Sequence, residues 1–164
     1  MIFSRILLAL LILASISCVK YSFKGALPSY LKNIYISDFE NQTQYPTVRE
    51  EFMQKVTEAF VSDNSLKVVP DDELADLILE GSIVSIRKQP VSITAQEQVQ
   101  EFHMVVTVKA ECKNMHTNKP LWSGNLSRFG IISGTALSDE IDLAISTAID
   151  QIVEDIITKT VAAW

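Results

Sequence analysis

Apolar residues recur along this chain with two different periods, and the switch between them predicts the elements. Val48, Phe52, Val56, Ala59 and Phe60 return at helical spacing, with Arg49, Glu50, Gln54, Lys55 and Glu58 filling the other positions. That is one stripe on an amphipathic helix. Thr47 and Glu50 have capping-box spacing at its start, Pro46 blocks an earlier start, and Asp63-Asn64 ends it. A second stripe, Ile141, Ile145, Ala148, Ile149, Ile152, Val153, Ile156 and Ile157, predicts a helix from about Ser138 to Val161. Ser138 can cap it, and Asp139, Glu140 and Asp142 suit the positive end of its dipole.

Between the helices the period falls to two. Met104, Val106, Val108, Ala110 and Cys112 alternate with His103, Thr107, Lys109, Glu111 and Lys113, and Glu101 to Lys113 is the clearest strand. Leu77 to Arg87 and Pro120 to Phe129 read as strands on either side of it. Residues 33–39 and the short run Leu66 to Val69 supply two more, the second the weaker. Glu40 to Tyr45, Gln89 to Gln98, Asn114 to Lys119 and Gly130 to Gly134 read as turns or loops. The expected fold is α+β, with two amphipathic helices packed on one face of a four- or five-stranded mixed, mostly antiparallel sheet. The first two strands flank a helix, which suits a parallel crossover.

The amino terminus follows neither period. Arg5, then an apolar run from Ile6 to Ile16 interrupted by Ser15, then Ser17 before Cys18, has the order of a secretory signal. The run is too short to span a bilayer. A small residue directly before a cysteine is where a lipoprotein signal is cut, leaving Cys18 to carry acyl chains. Each buried methylene then contributes about 0.8 kcal/mol to the anchor. Ser15 stands where such signals usually hold Leu. The bland alternative is an ordinary signal, with Cys18 free to pair with the other cysteine, Cys112. If Cys18 is acylated, Cys112 is left as a small core residue on a strand face. The expected organisation is a signal over residues 1–17, a tether over 18–32 broken by Gly25 and Pro28, and one domain over 33–164.

Charge narrows the partners. The chain has 14 basic and 20 acidic residues, a net charge of −6. Removing the signal costs only Arg5, so the balance stays acidic and disfavours nucleic acid. An anionic ligand must meet a local basic cluster. Arg87, Lys88, Lys109, Lys113 and Arg128 are the candidates, lying on or at the ends of three neighbouring strands. A shared patch could meet lipid phosphates; the alternative is scattered charges that guard strand edges.

Enzyme chemistry finds little support. His103 and His116 are the only histidines, one on a strand and one in a turn. No metalloprotease, redox, esterase, P-loop or dinucleotide motif occurs. Gly130 to Gly134 lacks the lysine of a phosphate loop, and Asp71-Asp72-Glu73 lacks the other ligands of a calcium loop. No cofactor, metal or catalytic set is expected.

With these residues read, the chain resembles the lipopolysaccharide-assembly lipoprotein (LptE) family in its Bacteroidetes-like form. Four places carry the likeness: Cys18 followed by Tyr21-Ser22-Phe23-Lys24-Gly25-Ala26; Ile34-Tyr35-Ile36 leading to Phe39-Glu40-Asn41 and a helix; the strand Leu79-Glu80-Gly81-Ser82-Ile83; and Ile152-Val153-Glu154-Asp155-Ile156-Ile157 with the terminal Ala162-Ala163-Trp164. Val19-Lys20, between the cysteine and the Tyr-Ser-Phe, departs from the family's pattern. The resemblance implies a non-enzymatic lipoprotein on the periplasmic side of the outer membrane. It implies an LptD-like β-barrel as partner, which such proteins plug and help assemble, and lipopolysaccharide as a further candidate partner. It implies two helices against a four-stranded sheet. It assigns no ligand-binding residue beyond Cys18. The competing expectation is a periplasmic lipoprotein that holds a small apolar ligand between helices and sheet, or an envelope scaffold.

Overall fold

The computed structural model describes residues 27–91, 101–134 and 136–161. The expected signal, Cys18 and most of the expected tether lie outside them. In chain order come β1 (Asn33–Ile36), β2 (Glu40–Asn41), α1 (Val48–Asp63), β3 (Lys67–Val68), a 3-10 turn (Asp72–Leu74), β4 (Leu77–Pro90), β5 (Glu101–Asn114), β6 (Lys119–Ser133) and α2 (Ser138–Val161). The strands form one mixed sheet in the order β3-β1-β4-β5-β6, and β2 pairs with β4 beside β1. β1 runs parallel to β3 and β4, β2 runs parallel to β4, and β4, β5 and β6 are antiparallel.

The α+β class, the two helices and the parallel pairing across α1 agree with the sequence reading. The strand count agrees roughly, with five strands in the main order and the short β2 beside them. The added sixth strand is Glu40–Asn41, which sits in the expected turn and pairs with Ser82 and Ile83. A two-residue bridge has no periodicity to betray it. Gly130 to Ser133 is also strand rather than loop: β6 runs on to pair Ser133 with Glu101. Gly130 is needed there by close approach, since a Cβ at this position would overlap the backbone of Ala144 in α2. The capping box of α1 does not form. Thr47 has helical backbone angles and its side chain makes no cap bond, while Glu50 turns to Arg49. At the other end the left-handed Asn64 closes the helix by donating its N–H to Phe60.

One face of the sheet and both helices share a single core. Leu77, Leu79, Ile83, Val106, Val108 and Cys112 meet Phe52, Val56 and Phe60 of α1 and Ala148, Ile149, Ile152 and Ile156 of α2, all fully or almost fully buried. Phe39 and Phe52 pack with ring centroids 4.8 Å apart. Leu31 is buried as well, so the folded body reaches into the segment read as tether. Trp122 of β6 donates its indole N–H to Thr160 Oγ at 3.1 Å, and Thr160 donates on to the Ile156 carbonyl. That chain satisfies a polar group inside the core. Lys55 reaches from α1 to Asp150 (2.5 Å) and to Ser146 Oγ (2.7 Å), clasping the two helices. Among the described residues no helix is long and apolar enough to cross a membrane.

Candidate functional site

Alternation along the three long strands sends one set of side chains into the core and the other to the uncovered face. On that open face the register sets Ile78 opposite Lys113, Glu80 opposite Glu111, Ser82 opposite Lys109, Ser85 opposite Thr107 and Arg87 opposite Val105. Across the next seam Lys109 faces Asn125, Thr107 faces Ser127 and Val105 faces Phe129. Thr107 and Ser127 hydrogen-bond through their hydroxyls at 2.9 Å. A polar groove of about 740 Å³ crosses the middle of this face, walled by Asp38 and Glu40 and floored by Glu80, Ser82, Lys109 and Asn125. Among the described residues neither Lys109 nor Lys113 pairs with a carboxylate.

The five basic candidates therefore split. Arg87, Lys109 and Lys113 share the open face, Arg87 some way along from the other two. Arg128 pairs with Val106, a core-facing residue, and so points to the helix side. There its guanidinium binds Asp155 of α2 at 2.8 Å. Lys88 pairs with Met104 on the same side and lies over the Phe102 ring at 4.1 Å. One shared five-residue patch is not what the register builds.

Of the histidines, His103 lies on the open face. It stacks on Phe129 with centroids 3.8 Å apart, and its Nε2 is 3.7 Å from Glu101. His116, in the β5–β6 turn, has Nε2 at 2.7 Å from Asp76. That pairing is the one feature that revives an enzyme reading, and its surroundings do not extend it. The other Asp76 oxygen accepts the backbone N–H groups of Lys32 and Asn33 at 2.8 and 2.9 Å. Tyr30 stands edge-on to the imidazole with centroids 5.3 Å apart. Burial alone would push the Asp76 carboxyl up, but the two N–H donors and His116 outweigh it and hold the group below its ordinary value. The cluster is a clasp that ties the start of the folded body to the β5–β6 turn. Nothing in the sequence announced it, because its members are brought together from Tyr30, Asp76 and His116 by tertiary structure alone.

Cys112 is a buried free thiol, and desolvation pushes its pKa up to about 12, with Thr160 pulling weakly the other way. It stays a protonated core group. Among the described residues no three His, Cys, Asp or Glu side chains gather as a metal site. Asp72 and Glu73 sit in the exposed 3-10 turn. Core side chains of the sheet and both helices pack between them. Grooves lie over the open face, between the two helices, and where β6 meets α2.

The family model described as "LptE: Lipopolysaccharide-assembly" matches residues 31–160. No curated protein sequence matches the chain. Solved structures share the fold at low identity. A protein from Xanthomonas campestris is 11% identical, with a TM-score of 0.60 over 85% of this chain and 89% of the other. The rare lipoprotein B from Shewanella oneidensis is 12% identical, with a TM-score of 0.57 over 79% and 93%. A minor lipoprotein from Acinetobacter baumannii is 12% identical, with a TM-score of 0.54 over 80% and 93%. At these identities the likeness concerns the fold alone.

Proposed function

Because this chain belongs to the LptE lipopolysaccharide-assembly family, we propose that it is a non-enzymatic outer-membrane lipoprotein that docks with, plugs and helps assemble the β-barrel translocon for lipopolysaccharide. The observation that carries this reading is the family match, which spans almost the whole folded body. The physical properties of that body support it. A barrel lumen is polar and wet. A plug must therefore be stable alone and polar outside, and this chain encloses its own core while presenting a sheet face rich in Ser, Thr, Asn and charged groups.

Under this reading residues 1–17 are removed and Cys18 is acylated. The tether then meets the body at Leu31–Asn33, beside the Asp76–His116 clasp. The anchor raises the effective concentration of the plug near its barrel. Of the five basic candidates, Arg87, Lys109 and Lys113 are the ones on the open face able to meet lipid phosphates, since Arg128 and Lys88 are engaged elsewhere.

The test is purification of the native chain from detergent-solubilised outer membranes, with mass spectrometry of its companions and of its amino terminus. A large β-barrel and an acylated Cys18 are the expected result. Recovery as a lone, unacylated periplasmic monomer would overturn the proposal.

A further inference from the structure

β6 is the exposed rim of the sheet. It is 15 residues long and, among the described residues, pairs on one side only, with β5. Among the described residues, its backbone makes two hydrogen bonds outside that ladder: the Ser133 carbonyl accepts from Ala136 N–H, and the Ser127 carbonyl accepts from the Arg128 guanidinium. A rim this long is a template for another strand, and proteins normally blunt it with Lys, Pro, inward charges or a covering element. Here those guards stop partway. Lys119 and Pro120 protect its beginning, and Arg128 is turned inward to Asp155. From Phe129 to Ser133 there is no Lys, Arg or Pro.

The unguarded stretch is also where apolar surface gathers. Phe129 is 42% exposed and Ile131 61%; Leu137, just before α2, is 73% exposed, and Leu143 within it 68%. Ile131, Ile132, Leu143, Ala144 and Thr147 line a groove of about 400 Å³ at this corner. Ile131 and Ile132 point to opposite faces of the sheet, so a groove touching both wraps the end of the strand. Gly130 lets α2 come close enough to form the other wall, its missing Cβ leaving room for the Ala144 backbone. Among the described residues, the rim of the groove carries Glu101 and Glu140 and no basic residue.

The geometry points to a receptor for an added strand: an extended segment of another protein, apolar at alternate positions and bearing a Lys or Arg, pairs with β6 along Phe129–Ser133. Unsatisfied backbone donors and acceptors are matched by another extended backbone, alternate apolar side chains fill the groove, and the two glutamates select the cation. A second copy of this chain is the poorer occupant. Two β6 rims meeting around Ile131 would bring Glu101 and Glu140 of both copies together, on chains that each carry a net charge of −6. The inference stands whichever envelope protein supplies the segment, and so apart from the reading of the family's role.

The test places the photo-cross-linker p-benzoylphenylalanine at Phe129, at Ile131 and, as a control, at exposed Gln54 of α1, in the full-length chain in its native membrane. Cross-linked peptides are then sequenced. Phe129 and Ile131 should reach one segment of one partner, at sites two residues apart, within an alternating apolar sequence that contains Lys or Arg. Glu101→Lys with Glu140→Lys should cut that yield about tenfold. Leu143→Lys, at an exposed helix position, should also remove the Ile131 cross-link, with an unchanged circular dichroism spectrum in both variants. Cross-links to a second copy, to lipid, to a segment without the alternating pattern, or equally from Gln54 would overturn the inference. So would the absence of cross-links, or yields indifferent to the substitutions.

Discussion

The two faces of the sheet obey opposite rules. On the helix side, polar groups are answered within the chain: Arg128 by Asp155, Trp122 by Thr160, Lys55 by Asp150 and Ser146. On the open side Glu80 stands opposite Glu111, while Lys109 and Lys113 have no carboxylate partner among the described residues. Like charges set opposite each other cost a folded chain energy. The first face answers its charges within the molecule; the second, although Thr107 and Ser127 pair across it, leaves charges unanswered among the described residues. A surface left suboptimal in isolation is where a partner's groups can complete the pairing, and this contrast is what substitutions should reveal.

The largest effect belongs to the closed side. Phe52 is fully buried against Phe39, so Phe52→Ala should cost about 3–5 kcal/mol in chemical denaturation, through lost burial and a residual cavity. A loss below 1 kcal/mol would mean that α1 is not integral to the core. Next comes a pair of glycines in one strand. A Cβ at Gly130 meets the Ala144 backbone, whereas one at Gly124 meets nothing within 4 Å. Gly130→Ala should therefore destabilise by about 1–3 kcal/mol, through overpacking. Gly124→Ala should be neutral or slightly stabilising, to within about 0.5 kcal/mol. Equal costs at the two sites would refute the close approach of α2 to β6.

Those glycines also mark where sequence reading stops. The alternation of Met104 through Cys112 and the stripe from Ile145 to Ile156 were legible because a single face is buried and the period is long enough to count. Gly130 before two isoleucines looked like a loop because its reason for being glycine lies on another element. The basic residues were legible as a set, but not as belonging to faces. Lys109 and Lys113 share a parity on one strand. Which way Arg128 points depends on the register of β6, which shifts at Cys112/Lys113. No pattern within β6 encodes that shift. β2 carries no local signal, because it is defined by its partner and not by its own two residues. The Asp76–His116 clasp spans 40 positions and was beyond any local signal.

That clasp makes the next prediction. Asp76 has a folded-state pKa below its ordinary value, so its contribution to stability is present above the unfolded pKa and is lost as pH falls through the folded one. Stability at neutral pH should drop by about 1 kcal/mol in Asp76→Ala, since two backbone N–H groups and the imidazole lose their acceptor. The difference between wild type and variant should begin to shrink as pH falls below the ordinary carboxyl value of about 4, and should vanish once pH has passed the lower value of the folded carboxyl. A gap that widens on acidification would reverse the assigned sign. At the sheet centre, Cys112 offers a parallel check. Its thiol, pushed up to about 12 by burial, should resist iodoacetamide at pH 8 in the folded protein and react promptly in denaturant.

The smallest effects belong to the open face, and there the sign is informative. Removing one of two facing carboxylates, as in Glu111→Gln, relieves repulsion from Glu80 and should stabilise the isolated chain by about 0.2–1 kcal/mol. If the open face meets a partner, the same substitution should weaken association with that partner while raising the thermal midpoint of the free chain. Converting Arg87, Lys109 and Lys113 to Ala together should likewise leave stability nearly unchanged, because among the described residues none of them holds a carboxylate partner. It should reduce binding to vesicles containing anionic lipid, and Arg128→Ala should not. Arg128→Ala should instead lose the Asp155 pair, at up to about 1 kcal/mol of stability. A triple variant that loses stability but keeps vesicle binding would invert the contrast between the two faces, since those cations would then serve the chain itself.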